Sequence, residues 1–96
     1  GDIFQVVVDM REGSETFLQW ESFELGDNNR QMVLIPPGMG NAFHVRSRSA
    51  VYHYKLAYFG EYADADDQFT VAWNDPRLNI TWGNDNPILS ERDAKL

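Results

Sequence analysis

Short segments rich in β-branched and aromatic residues recur along the chain, and clusters of Gly, Asn, Asp and Pro separate them. This alternation is typical of antiparallel all-β proteins, because the first group favours strands and the second favours turns. The segments that we predict to be extended are IFQVVVDM, FLQWESFEL, QMVLI, AFHVRS, AVYHYKLAYF, FTVAW and LNITW. Six or so strands, with no amphipathic helix longer than one turn, predict a sandwich or a jelly-roll barrel.

The chain has 96 residues, which is the size of one domain, and its 43% hydrophobic and 14% aromatic residues are enough for a real core. We therefore predict a single domain over residues 1–96, with Ile3, Val6 and Val8 in the core. The final residues, LSERDAKL, favour a terminal helical turn with Ser90 as its N-cap.

Charge, apolar runs and cysteine usage limit the classes of partner. Fifteen acidic and eight basic residues give a net charge of -7, which repels a phosphate backbone and argues against nucleic acid. A nucleotide remains open, because two or three local cations can bind a diphosphate. The longest apolar runs, VVV and MVLI, fall short of the ~20 residues that span a bilayer. With no cysteine in the chain, these features lead us to expect a cytoplasmic protein that binds neither nucleic acid nor membrane.

A tight corner is predicted at PPGMGN, the segment that ends at Asn41. Proline fixes φ and glycine permits positive φ, so the backbone can turn sharply and approach a ligand, although a purely structural corner is the simpler interpretation. The longer segment IPPGMGNAFHV resembles the second conserved motif of the cupin superfamily, in which a Pro-x-Gly turn precedes a histidine metal ligand. Asn41 occupies that histidine position. Because an amide is a poorer transition-metal ligand than imidazole, we expect no metal site.

The rest of the chain resembles the nucleotide-sugar 3,5-epimerases typified by dTDP-4-dehydrorhamnose 3,5-epimerase. The resemblance covers essentially all 96 residues and is carried by GDIFQVVVDMREGSETFLQW, LIPPGMGNAF, the pair YK, WNDPRLNITW and PILSERD. It implies an all-β, cupin-type jelly-roll barrel, an antiparallel double-stranded β-helix, of which this chain would be the carboxyl-terminal portion. The segments YKLAYFGEYADADDQF and PPGMGN are most similar to the branch that epimerises GDP-linked 4-keto-6-deoxy-heptoses.

The family's chemistry moves a proton next to a ketone. Abstraction gives an enolate, and a second group returns a proton from the opposite face, so neither a redox cofactor nor a metal is needed. The resemblance assigns the acid to Tyr54, whose phenol is protonated at neutral pH, and assigns to Asp93 the carboxylate that holds the base, a histidine. Without the resemblance, Tyr54 would be interpreted as a packing residue and Asp93 as an exposed residue of the terminal turn.

The same resemblance assigns substrate-binding positions. Asn41 corresponds to a polar residue that lines the sugar site, and Arg92 corresponds to a basic substrate-binding position. The nucleotide base would stack on Tyr62 or on Tyr58, because the loop after Lys55 is about three residues longer than in the rhamnose enzymes. The expected ligand is a nucleotide-linked 4-keto sugar, and the expected assembly is a homodimer.

The catalytic histidine of the family lies upstream of the residues that match. His44 and His53 are the only histidines, and neither matches that base. We therefore expect the 96-residue chain to be inactive alone. Two alternatives remain: a non-catalytic cupin-like module that binds a sugar or nucleotide, and a structural fragment whose open edges self-associate. The acidic loop with Asp64, Asp66 and Asp67 lacks the Gly and Glu of a calcium loop, so we expect it to be solvated.

Overall fold

The computed structural model describes residues 1–57 and 71–95 of the chain. Three strands form one sheet: β1 (Asp2–Asp9), β2 (Trp20–Gly26) and β3 (Met39–Val45). The order in the sheet is β2-β1-β3, and both pairings are antiparallel, so β1 is the middle strand. A short helix, α1 (Glu91–Ala94), follows near the carboxyl end.

The apolar residues of β1 are covered on both faces of the sheet, as expected for a middle strand. On one face Phe4, Val6 and Val8 form the core with Leu78, and Val6 is completely buried. The other face carries Ile3 and Gln5, which are also buried. Burying an aliphatic side chain such as that of Val6 or Ile3 stabilises the fold by about 1.5–3 kcal/mol. The predicted core positions Ile3, Val6 and Val8 are confirmed.

The core face is covered by the segment 71–82, which two indole N–H groups fix in place. Trp20 in β2 donates to the carbonyl oxygen of Leu78 at 2.6 Å, and Trp82 donates to the carbonyl oxygen of Trp73 at 2.8 Å. The ring of Trp82 meets Phe4 edge-on, with centroids 5.7 Å apart. Leu78 is therefore held over β1 without a strand ladder of its own.

A carboxylate at the end of β1 organises the turn that leads to β2. Asp9 is buried and accepts hydrogen bonds from the backbone N–H of Arg11 at 2.9 Å, from its Nε and Nη2 at 3.0 Å each, and from Ser14 Oγ at 2.7 Å. Thr16 Oγ1 also donates to it. The Arg11 side chain, then Thr16, the Arg11 backbone and Ser14 hold the pKa of Asp9 far below its usual range, although burial opposes the shift.

The predicted corner before β3 is present and depends on Gly38. Its φ is 86°, a left-handed conformation that glycine adopts without strain, and its carbonyl oxygen accepts from the N–H of Met10 at 3.1 Å. A Cβ at this position would lie 2.5 Å from Arg11 Cγ. The corner thus sets the point at which β3 begins to pair with β1.

The all-β fold is confirmed, but some segments predicted to be strands are not strands. In the described part of the chain, QMVLI, residues 50–57, residues 71–73 and LNITW have no partner in a strand ladder. Their composition favours strands, but a strand also needs a neighbouring backbone with which to bond. β2 also starts later than predicted, at Trp20, because residues 15–18 form turns.

The helical turn predicted at the carboxyl end is present. The side chain of Ser90 accepts a hydrogen bond from the N–H of Asp93 at 3.2 Å, so Ser90 is the N-cap of α1 as predicted. α1 has four residues, and none of the helices in residues 1–57 and 71–95 combines the length and apolarity that crossing a bilayer requires.

Candidate functional site

Three polar side chains meet on the face of the sheet opposite the core. Gln5 lies at the centre of this face and is only 2% exposed. Its Nε2 donates to Asn41 Oδ1 at 2.8 Å and to the hydroxyl oxygen of Tyr52 at 2.9 Å. Asn41 Nδ2 also donates to the Tyr52 hydroxyl, at 3.2 Å. We call these three residues the polar triad.

The register of the sheet explains why the triad forms. Asn41 in β3 pairs with Val7, and Phe43 pairs with Gln5. Alternate residues of a strand share a face, so Gln5, Asn41 and Phe43 all lie on the side away from the core. The chain then returns past this face and brings Tyr52 onto it.

Aromatic rings extend the triad into a surface that solvent can reach. Phe43 stacks on Tyr52 with centroids 4.2 Å apart and planes 10° from parallel. The centroids of Tyr52 and Tyr54 are 6.0 Å apart, with the planes tilted by 47°. Tyr54 is 66% exposed, and Phe43 is exposed as well. Phe43, Tyr52 and Tyr54 form what we call the aromatic row.

This arrangement has the chemistry of a carbohydrate site. Amide and hydroxyl groups can bind the oxygens of a sugar, and ring faces can pack on its apolar C–H surfaces. An exposed phenol can also donate a proton to a bound molecule. In residues 1–57 and 71–95, no three His, Asp or Glu side chains come together in a way that could hold a metal ion.

The structure brings some of the predicted site residues together. Asn41 and Tyr54 lie on the same face, joined through Tyr52. Asp93 and Arg92 lie apart from them in the sequence, on α1, where Asp93 is half-buried and Arg92 is exposed. Tyr58 and Tyr62 lie outside the described residues.

His44 does not lie on the face that carries the triad. His44 pairs with Phe4 in the register, so it points to the core side, where its ring lies edge-on to Trp82 with centroids 6.5 Å apart. It is half-buried, and its Nδ1 has no hydrogen-bond partner among the described residues. His53 is exposed.

Sequence reasoning missed Gln5 and Phe43 as parts of this face. Gln5 is the one polar residue within the run IFQVVV, and a polar residue in a middle strand needs a buried partner, which was the available signal. The identity of that partner depends on the register with β3 and on the path of residues 46–52. A single sequence does not specify either of these.

Comparison with known proteins relates the whole chain to one family. The family model described as dTDP-4-dehydrorhamnose 3,5-epimerase matches residues 1–96. The enzyme of that name from Pseudomonas aeruginosa is 39% identical over an alignment 96 residues long, which covers 99% of this chain and 51% of the relative. The enzyme from Shigella flexneri is 36% identical over 93 residues, 97% of this chain and 50% of the relative.

A solved structure agrees with the sequence comparisons. The crystal structure of a dTDP-6-deoxy-D-glucose-3,5-epimerase from Legionella pneumophila, in complex with dTDP-4-keto-L-rhamnose, matches with a TM-score of 0.80 and 30% identity. The match covers 99% of this chain and 50% of that one. The chain thus spans about half the length of the relatives it matches, and its sheet corresponds to part of their fold.

Proposed function

The chain belongs to the dTDP-4-dehydrorhamnose 3,5-epimerase family, and we propose that it contributes half of the active site of a nucleotide-sugar 3,5-epimerase. The proposed reaction inverts C3, C5 or both in a 4-keto-6-deoxy sugar linked to a nucleoside diphosphate. The observation that carries the proposal is the exposed ring of Tyr54 beside the polar triad, on one face of the sheet. This juxtaposition offers a proton donor next to groups that can hold a sugar.

In this proposal Tyr54 is the general acid. A base removes the proton next to the ketone, the negative charge spreads onto the ketone oxygen, and the Tyr54 phenol returns a proton to carbon from the opposite face. No electrons leave the substrate, so the proposed reaction uses no redox cofactor. The 66% exposure of Tyr54 leaves its ring accessible to a substrate.

The proposed roles of the remaining residues complete the site. Asp93 orients the imidazole of the base, which would fix the tautomer of that ring. Arg92 binds the substrate through its positive charge, and Asn41 lines the sugar pocket. The base of the nucleotide stacks on Tyr62 or Tyr58. In this proposal neither His44 nor His53 is the base, and a histidine outside these 96 residues supplies it.

We further propose that the substrate is the GDP-linked heptose type rather than the rhamnose precursor. The support is Asn41 in place of a histidine and the longer loop after Lys55, both taken from the resemblance. The protein would act in the cytoplasm as a homodimer and take part in making cell-surface carbohydrate such as lipopolysaccharide or capsule.

Deuterium incorporation tests the proposal most directly. The protein, in its natural length, is incubated in heavy water with dTDP- and GDP-linked 4-keto-6-deoxy sugars, and deuterium at C3 and C5 is followed by NMR. Exchange at either carbon is the expected result, and absence of exchange with every such substrate would refute the epimerase assignment. The GDP- and dTDP-linked substrates also separate the two branches of the family.

Tyr54→Phe separates the acid from the base. We expect this variant to retain some exchange, because the base still removes protons, and to lose most epimer formation, because a protonation step on the other face is missing. Thr81→Val is the control, since it also deletes one exposed hydroxyl but lies in the segment over the core face. Epimer formation at the wild-type rate in Tyr54→Phe would rule out the acid role.

Binding without catalysis is the second candidate function. The polar triad supports this function, because its amide and hydroxyl groups can bind a sugar without a catalytic base. Calorimetry with the same nucleotide sugars decides between the two functions. Binding without exchange would identify a binding module, and binding with exchange would identify the enzyme.

A further inference from the structure

Gln5 has no role in the proposed reaction, yet it makes two of the three hydrogen bonds of the triad. We propose that Gln5 is a positioning residue: its buried amide sets the directions in which Asn41 and Tyr52 offer hydrogen bonds to the sugar. This inference rests on the proposed function, because it assumes that a sugar occupies the face carrying the triad.

The burial of Gln5 makes its geometry well defined. The side chain is 2% exposed, and its strand neighbours are Phe23 on one side and Phe43 on the other. A buried amide is costly when unpaired, so the side chain is held where both of its N–H groups find acceptors. These two hydrogen bonds fix the direction in which the Gln5 amide meets Asn41 and Tyr52.

The hydrogen bonds permit one orientation of each amide relative to the other. Gln5 Nε2 uses one hydrogen on Asn41 Oδ1 and the other on the Tyr52 hydroxyl oxygen. Turning Gln5 alone would place its oxygen against Asn41 Oδ1, and turning Asn41 alone would place two N–H groups against each other. Both alternatives lose a part-buried hydrogen bond of the triad.

The consequence is that the triad presents donors to the sugar. The Tyr52 oxygen accepts from Gln5 and from Asn41, so its own hydrogen must point away from both amides. Asn41 Nδ2 has a second hydrogen that neither partner uses. Two donors directed away from Gln5 select acceptor oxygens, and a ketone oxygen is an acceptor only. Both donors therefore suit an acceptor oxygen, such as the ketone oxygen of the proposed substrate.

Gln5→Glu reverses this pattern while keeping the size of the side chain. A carboxylate only accepts, so Tyr52 would donate to it and Asn41 would turn round, and the donor of Tyr52 would be lost to the sugar. At low pH the introduced carboxyl is protonated and regains one donor. In Gln5→Met an uncharged, unbranched side chain of similar size replaces the amide, so the hydrogen bonds of residue 5 are lost. This variant keeps the inference testable if Gln5→Glu does not fold.

The experiment measures dissociation constants for dTDP-4-keto-L-rhamnose, its GDP-linked counterpart, and the two nucleoside diphosphates alone. For both Gln5 variants we expect about tenfold weaker binding of the keto sugars, the effect of one or two lost hydrogen bonds, and unchanged binding of the nucleoside diphosphates. Gln5→Glu should partly recover as pH falls, whereas Gln5→Met should not. Gln19→Glu, on an exposed glutamine before β2, is the charge-matched control and should bind like the wild type.

The outcomes of this inference and of the proposed function can be told apart. Keto-sugar binding equal to the wild type in a folded Gln5→Met or Gln5→Glu variant overturns the positioning role. Equal weakening of keto sugar and bare diphosphate overturns it too, because that result indicates general damage. Wild-type protein that binds keto sugar without exchanging deuterium refutes the epimerase proposal but still lets the affinities decide on Gln5. Wild-type protein that binds keto sugar no better than the diphosphate overturns the inference.

Discussion

At the scale of single residues, Asp9 contributes to stability in a pH-dependent way. Five donor groups surround its carboxylate, and they lower its pKa relative to the ordinary value of 3.8. A group whose pKa is lower in the folded than in the unfolded state stabilises the fold fully above its unfolded pKa. That contribution is lost as pH falls below about 4.

We predict that Asp9→Asn lowers the urea midpoint at pH 7 and flattens its dependence on acid pH. The asparagine amide is uncharged at every pH, so it lacks the charge on which the Arg11 hydrogen bonds depend. The free energy of unfolding of the variant therefore falls less between pH 5 and pH 2 than that of the wild type. Urea unfolding at several pH values measures this. Asp85→Asn, on an exposed aspartate, is the control and should keep the wild-type slope. Equal slopes in wild type and Asp9→Asn would contradict the prediction.

Single residues also differ in how far the sequence alone could place them. Strand alternation puts Tyr52 and Tyr54 on one side, and their rings are neighbours, although the segment is not a strand. The family resemblance pointed to Asn41 and Tyr54, and the structure puts them on one face. The partners of Gln5 and Asp9 could not be predicted, because the sequence marks a polar residue in an apolar strand but does not specify the residue to which it bonds.

At the scale of elements, the corner at Gly38 and the turn at Gly13 form a natural pair. Their φ values are 86° and 85°, so an L side chain would suffer the same backbone strain at each. At Gly13 an added Cβ has nothing within 4 Å, whereas at Gly38 it meets Arg11 Cγ at 2.5 Å. The two sites thus separate backbone strain from steric contact.

We predict that Gly13→Ala destabilises the fold by about 1 kcal/mol and Gly38→Ala by about 2–3 kcal/mol. The additional loss arises because the new methyl group pushes on Arg11, which holds Asp9, and shifts the start of β3. Urea unfolding at neutral pH gives both values. Losses of the same size in the two variants would show that the contact at Gly38 relaxes without cost.

Strands were predicted well where a segment both favours the extended conformation and has a neighbouring strand with which to pair. They were predicted poorly where a segment has only the favourable composition. IFQVVVDM and WESFEL are strand-forming and have partners, so β1 and β2 appear where expected, apart from the late start of β2. QMVLI is equally strand-forming, but in the described part of the chain it pairs with nothing. Local composition sets the preference of a segment, whereas a ladder requires a second backbone, which can be distant in sequence or belong to another molecule.

At the scale of the whole molecule, apolar side chains remain on the outside. Met32 and Leu34 in the unpaired segment are almost fully exposed, as are Val51 and Ile88. Exposed apolar residues on a segment that joins no strand ladder within residues 1–57 and 71–95 favour pairing with another chain. The net charge of -7 opposes nonspecific aggregation, so a defined assembly is the expected form.

We predict that the 96-residue chain forms a dimer whose stability depends on this segment. Analytical ultracentrifugation over a range of concentrations should give the dimer mass for the wild type. Met32→Asp combined with Leu34→Asp should shift the equilibrium to the monomer, because two charges would be buried on association. Asn84→Asp, an exposed charge elsewhere, is the control. A wild type that sediments as a monomer at every concentration would contradict the prediction.

The position of β1 in the sheet has a consequence for the order of synthesis. β1 is the middle strand, yet it precedes both of its partners in the chain, and β3 ends only at Val45. At about 5–20 residues per second, the ribosome needs roughly 2–7 s to extend the chain from the end of β1 to the end of β3. The same interval separates the emergence of β1 from the emergence of β3, and during it one edge of the most apolar strand of the sheet lacks its partner. Nascent β1 therefore exposes an unpaired backbone edge until β3 reaches it.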